Sequence, residues 1–195
     1  MALTRLRKQV SRLFDSVATP LAMLPADLYT VLGLVGALIY LYSTRYGALV
    51  AALFLALSGL LDALDGAVAR KRGEAGPRGA FLDSMLDRVA DTIYALGFYE
   101  LGYPGEAVIL FLGAALITSY ARARYEAAIA KTMEGVGLLE RADRLVAQLL
   151  VLLAQAALGL RVAAALYWVL VVLAWTTVLQ RLVKGYKALP RTLGR

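Results

Sequence analysis

The chain has 195 residues, of which 61% are apolar and 18% charged, with a mean hydropathy of +0.67. That excludes a disordered chain and fits a soluble domain poorly, since soluble domains run near half apolar and about a quarter charged. Lys and Arg number 21 against 14 Asp and Glu, a net +7, and Cys and His are absent; this leaves out disulfides, thiolate nucleophiles, imidazole bases and the usual Cys/His zinc sites.

In chain order, Met1–Ser16 reads as an amphipathic helix. Leu3, Leu6, Val10, Leu13 and Phe14 recur at helical spacing opposite Arg5, Lys8 and Arg12. Such a helix lies in the membrane interface, and this one is too polar for a cleaved signal peptide. Six apolar blocks follow, over about Asp27–Thr44, Tyr46–Leu64, Gly79–Leu101, Glu106–Ala123, Arg144–Leu160 and Val162–Lys184. Each approaches the roughly 20 residues that cross a hydrocarbon core. Turn and charge signals separate them, at Ser43–Tyr46, Gly73–Gly79, Gly102–Gly105, Glu134–Arg141 and Gly159–Arg161. The expectation is an all-α polytopic membrane protein, one domain over residues 1–195. Six transmembrane helices lie within residues 26–186, preceded by an interfacial helix at residues 1–17.

Eighteen of the 21 basic residues fall before the first span, in the second-to-third and fourth-to-fifth connections, and at the C-terminal end. The positive-inside rule then puts both termini and the two basic connections in the cytoplasm, at the cell membrane. Topology and anionic lipid contact account for the +7, so nucleic-acid binding is not expected.

Charges inside spans cost roughly 2.5–3.5 kcal/mol each on insertion scales, so they need a reason. Here they cluster. Asp62 and Asp65 end the second span at i, i+3; Asp83, Asp87 and Asp91 mark the first half of the third at i, i+4. Each set occupies one helix face. The short connection makes the two helices antiparallel neighbours, so at least four carboxylates converge at the cytoplasmic boundary. Divalent cations compensate such a cluster most readily, and all-oxygen ligands favour Mg²⁺, Mn²⁺ or Ca²⁺. Gly66 and Gly79 allow close approach of backbone or ligand. Arg70, within a turn of the Asp62 and Asp65 face, suits either a carboxylate or a phosphate.

Taken together, these residues spell a longer pattern. Asp62 to Arg70 reads DALDGAVAR; eight residues follow, then Gly79, AFL, Asp83, SML and Asp87. This resembles the signature of the CDP-alcohol phosphatidyltransferase family, D-x-x-D-G-x-x-A-R-x8-G-x3-D-x3-D, at every fixed position. The resemblance implies transfer of a phospho-lipid group from a CDP-activated lipid, CDP-diacylglycerol or CDP-archaeol, to an alcohol, with release of CMP. It implies two divalent ions, Mg²⁺ or Mn²⁺: Asp62 and Asp83 would contact both, Asp65 one and Asp87 the other, with Asp87 as general base toward the acceptor hydroxyl. Asp91 lies outside the signature, in a supporting or structural role. Gly66 and Arg70 would hold the CDP moiety, with Gly76 contributing from the connection. Asp27 and Thr30 would join them, although the segment Pro25-Ala26-Asp27-Leu28-Tyr29-Thr30 places its proline one position earlier than the T-P-D/N-x-x-T of related chains.

The acceptor side is read from the later basic residues. Ser119-Tyr120-Ala121-Arg122-Ala123-Arg124 and Glu140-Arg141-Ala142-Asp143-Arg144 resemble the S-Y-x-[KR]-A-R and E-R-x-x-R segments of prokaryotic phosphatidylinositol-phosphate synthases in that family. Guanidinium forks suit phosphate. By that likeness Ser119, Arg122, Arg124, Arg144 and Arg181 would hold the phosphate of inositol 1-phosphate. Glycerol 3-phosphate is the alternative acceptor. A transporter with an intramembrane acidic relay is the reading from another class, although it leaves the glycine and arginine spacing unexplained. Gly113, Ala114, Ala115 and Ser119 give the fourth span a small-residue stripe, and members of the family imply a homodimer.

Overall fold

The computed structural model describes residues 23–129, 131–133 and 135–189. The predicted interfacial helix at residues 1–17 lies outside the described residues. Among those described there are six long helices and no strand: α1 (Ala26–Ser43), α2 (Ala48–Arg72), α3 (Pro77–Glu100), α4 (Gly105–Ile129), α5 (Arg141–Leu158) and α6 (Leu160–Ala188), with a 3₁₀ turn at Thr44–Tyr46. Around the bundle each helix meets its neighbours in the order α1, α2, α5, α6, α4, α3 and back to α1.

Four stretches are long and apolar enough to cross a membrane: Ala26–Tyr46, Ala48–Arg72, Gly105–Ile129 and Leu160–Ala188. The other two helices, α3 and α5, carry more of their charge within the helix. Asp83, Asp87, Arg88 and Asp91 interrupt α3, and Arg141, Asp143 and Arg144 open α5. Of the six expected apolar spans, four are therefore long and apolar enough to cross a membrane, and α3 and α5 are helices with a charged N-terminal part.

The surface supports a lipid surround. Leu38, Ile39, Leu49, Leu53, Ile109, Val169 and Val172 point outward and are exposed, a pattern too extensive for a soluble monomer. The interior is instead small or aromatic. Ala37, Ala51, Ala52, Ala114, Ala163 and Ala174 are buried, which lets helices approach closely. Phe98, Tyr103, Phe111 and Tyr167 stack around one another with ring centroids 4.8–5.3 Å apart. One set of buried polar groups is paired between α1, α2 and α3: Ser58 Oγ donates to Gly33 O (2.7 Å) and lies 2.6 Å from Tyr94 Oη, while Tyr40 Oη donates to Tyr94 O (3.2 Å).

Gly97 is what lets α1 and α3 meet. A Cβ there would come within 2.6 Å of Tyr40 Cζ and Oη, on a fully buried ring. Gly97→Ala is therefore expected to destabilise the fold by about 1–3 kcal/mol through overpacking. Thermal unfolding of the purified protein in detergent measures it; an unchanged midpoint would show that the helices separate without cost.

Candidate active site

The α2–α3 hairpin builds the acidic centre. Helix α2 runs eight residues beyond the expected end of the second span, so Asp62, Asp65, Gly66 and Arg70 all sit on regular helix. It stops at Gly73, whose φ of +68° suits glycine; the Glu74 amide closes the end by donating to Ala69 O (2.9 Å). Pro77 then starts α3, where its missing N–H is harmless. Glu74 ties this connection to the start of α1. Its carboxylate accepts from Arg72 Nε (2.6 Å) and from the Ala26 amide (3.2 Å), and these bonds hold it below the ordinary Glu range.

Within the hairpin Asp62, Asp83 and Asp87 each place one carboxylate oxygen within 4.8 Å of the others. Asp65, the fourth signature aspartate, stands beside this group and is buried, and its Oδ2 has no hydrogen-bond partner. The donor set consists of carboxylates alone, which suits hard divalent cations. An orphaned buried carboxylate oxygen beside three converging ones fits a cation binding there.

Two cavities flank the carboxylates and share Asp83 and Ala80 in their walls. The first, about 220 Å³, is lined by Asp27, Thr30, Asp65, Gly66, Arg70, Gly76 and Gly79 among others. All five residues expected to hold the CDP moiety are therefore together. The second, about 420 Å³, is lined by Asp87, Arg88, Ser119, Arg122, Glu140, Arg141, Arg144 and Arg181 among others. Four of the five residues expected on the acceptor side meet here. Arg124 does not: it is exposed and absent from the lining. A larger open groove, about 880 Å³, lies between Gly135–Leu138 and the end of α6 and contains none of the expected residues.

The second cavity also holds a residue that the spacing alone did not single out. Arg141, read in the sequence as a topology charge and as part of the E-R-x-x-R likeness but given no site role, reaches into the acidic centre. Its Nη1 bonds Asp62, its Nη2 lies 2.9 Å from Asp87 Oδ1, and its Nε lies 3.9 Å from Asp91 Oδ1. Arg88 Nη2 donates to Asp87 Oδ2 at 2.9 Å. Arg144 is 4% exposed and sits 3.4 Å from Asp91 Oδ2, so Asp91 anchors the arginines of α5. The available signal was the i, i+3 spacing of Arg141 and Arg144, which puts both on one face. A capping box, in which the Glu140 amide donates to Asp143 Oδ2 (2.9 Å), starts α5 at Arg141, three residues before the expected Arg144. Arg181 differs from a simple phosphate clamp: Nε donates to Val136 O and Nη1 to Thr118 O, both at 2.9 Å. Arg122 pairs with Glu126 at 2.9 Å.

A profile described as CDP-alcohol phosphatidyltransferase matches residues 23–180, most of the chain and all of the site. The chain belongs to the CDP-alcohol phosphatidyltransferase family. It is thus a transferase and a multi-pass membrane protein. Its relatives within the family include the archaetidylinositol phosphate synthase of Aeropyrum pernix, 42% identical over 89% of this chain and 90% of that protein. The enzyme of the same name from Methanothermobacter thermautotrophicus is 39% identical over 74% and 73%. Among solved structures, the phosphatidylinositol phosphate synthase of Mycobacterium tuberculosis with CDP-DAG bound superposes with a TM-score of 0.77 at 26% identity, over 94% of this chain and 98% of that one. The same enzyme in complex with manganese and citrate gives 0.74 at 28% identity, over 91% and 92%.

Proposed function

We propose that this CDP-alcohol phosphatidyltransferase transfers the phospho-lipid group of CDP-diacylglycerol or CDP-archaeol to inositol 1-phosphate, releasing CMP, in phospholipid biosynthesis. The observation that carries the reading is the pair of cavities on either side of one carboxylate wall. One is lined by the signature glycine and arginine, the other by four arginines besides Arg88. A donor and a phosphorylated acceptor each have a compartment, and the reacting groups meet at Asp83 and Asp87.

In this reading Asp62, Asp65, Asp83 and Asp87 hold two divalent ions, Mg²⁺ or Mn²⁺, whose charge neutralises the pyrophosphate and stabilises the CMP leaving group. Gly66, Arg70, Gly76, Asp27 and Thr30 seat the CDP moiety. Ser119, Arg122, Arg144 and Arg181, joined by Arg141, hold the acceptor phosphate. Asp87 accepts the proton of the acceptor hydroxyl. That oxygen bonds to the lipid-bearing phosphorus as the phosphoanhydride bond to CMP breaks. A carboxylate performs this step because it is within reach of the hydroxyl, which matters before basicity does. The enzyme is one domain whose six helices all cross the membrane. Both termini and the site face the cytoplasm, and the protein functions as a homodimer. The distribution of basic residues supports the orientation.

Acceptor identity is tested by competition. Purified protein with CDP-lipid, Mg²⁺ and equal concentrations of inositol 1-phosphate and glycerol 3-phosphate is expected to form the phosphoinositol lipid in large excess. Predominant glycerophosphate product would replace the acceptor while leaving the family chemistry intact.

A further inference from the structure

The segment 135–140, which brings Glu140 into the wall of the larger flanking cavity, is held by α6. Thr177 and Arg181, one helical turn apart, face this segment and are buried. Arg181 Nε takes the Val136 carbonyl (2.9 Å) and Thr177 Oγ1 takes the Leu139 amide (3.0 Å). The two bonds therefore grip the backbone on either side of Gly137-Leu138. The Thr177 hydroxyl proton is committed to Leu173 O at 3.1 Å, so the oxygen presents a lone pair to Leu139. Gly137 completes the contact. Its φ is +121°, and a Cβ there would overlap Thr177 Cγ2 outright and lie 3.3 Å from Thr177 Cβ. One residue after this segment ends, Arg141 begins α5 and enters the acidic centre. Thr177 lines neither cavity.

We propose that Thr177, closed against Gly137, is a positioning residue for the acceptor: it fixes the 135–140 segment and thereby sets where Arg141 and Arg144 stand. The inference rests on reading the larger of the two flanking cavities as the acceptor compartment. It assigns Thr177 to acceptor affinity and leaves the donor compartment independent of it, because its hydrogen bonds go to Leu139 and Leu173 and it is absent from the lining of the smaller cavity.

The test compares Thr177→Val with Thr177→Ser in the full-length protein. Valine keeps the methyl group against Gly137 and removes the oxygen; serine keeps the oxygen. Thr177→Val is expected to raise the KM for inositol 1-phosphate about tenfold, the size of effect when a part-buried amide loses its acceptor. The KM for CDP-lipid stays unchanged and kcat falls less than about threefold. Thr177→Ser restores the acceptor KM. Equal effects on both substrates, no effect, or failure of serine to rescue overturns the proposal. A second readout is independent of the acceptor: hydrogen exchange of the Leu139 amide and phenylglyoxal modification of Arg141 both accelerate in Thr177→Val and return to the wild-type rate in Thr177→Ser. If the wild-type protein uses no inositol phosphate, the functional reading fails on that result alone, and the positioning role is decided by these two rates; unchanged rates overturn it.

Discussion

Asp87→Asn is expected to lower kcat by about 10³-fold or more while leaving CDP-lipid binding within a few-fold of wild type. The large loss follows from the two roles proposed for Asp87 being removed together, metal ligand and proton acceptor, the second of which alone is worth about 10²–10⁴-fold. The sparing of donor binding follows from geometry: Asp87 lines the acceptor-side cavity and is absent from the donor-side lining, whereas Asp83 is in both. Asparagine is nearly isosteric, so the helix keeps its packing. Asp83→Asn should consequently impair both donor binding and turnover. Single-turnover CMP release, with donor affinity measured separately, distinguishes the two variants. An Asp87→Asn enzyme that retains a tenth of its turnover would remove Asp87 from the chemistry.

Arg141→Gln is the second large effect, with two separable readouts. Arg141 faces Asp62, Asp87 and Asp91. Removing one partner of a buried ion pair typically costs about 3–5 kcal/mol, because the remaining charge is left uncompensated. The variant is therefore expected to unfold at a clearly lower temperature in chelator. Its stabilisation by Mg²⁺ should exceed that of wild type, since a divalent ion then replaces the missing positive charge and ligand excess stabilises by mass action. In turnover, the acceptor KM should rise about 10–100-fold, the worth of one charge-assisted contact to a phosphate. Lysine at this position should recover only part of either effect, since it supplies charge without the fork. An unchanged acceptor KM together with a wild-type response to Mg²⁺ would return Arg141 to a topological role.

The carboxylates were legible in the sequence because their spacing is the helical period itself. Asp62 and Asp65 on one helix, and Asp83 and Asp87 on the next, need only a short connection to converge, and Gly73 and Pro77 supply its stop and start. The donor residues were legible for the same reason, as most lie on that hairpin. The ends of helices were less so. Charged residues near Asp62 read as the end of a span, yet α2 continues to Arg72, because a helix at a membrane boundary tolerates charge that a lipid-facing segment does not.

Arginine partners were the least legible feature. The sequence gives Arg122, Arg141, Arg144 and Arg181 the same appearance, and each meets something different: Glu126, the acidic centre, Asp91, and two backbone carbonyls with Glu140 nearby. Carbonyl partners depend on the conformation of residues 135–140, which has no periodic pattern. The Gly137 turn and its contact with Thr177 join residues forty positions apart, beyond the reach of local spacing.

The central claim is that an aspartate centre shared by two cavities transfers a phospho-lipid group under divalent metal. The most direct measurement is CMP release by purified protein given CDP-lipid and inositol 1-phosphate, with and without chelator. CMP is expected in equal amount to the phosphoinositol lipid, abolished by chelation and restored by Mg²⁺ or Mn²⁺. No CMP with any phosphorylated alcohol, accompanied by ion flux when the protein is placed in vesicles, would contradict it.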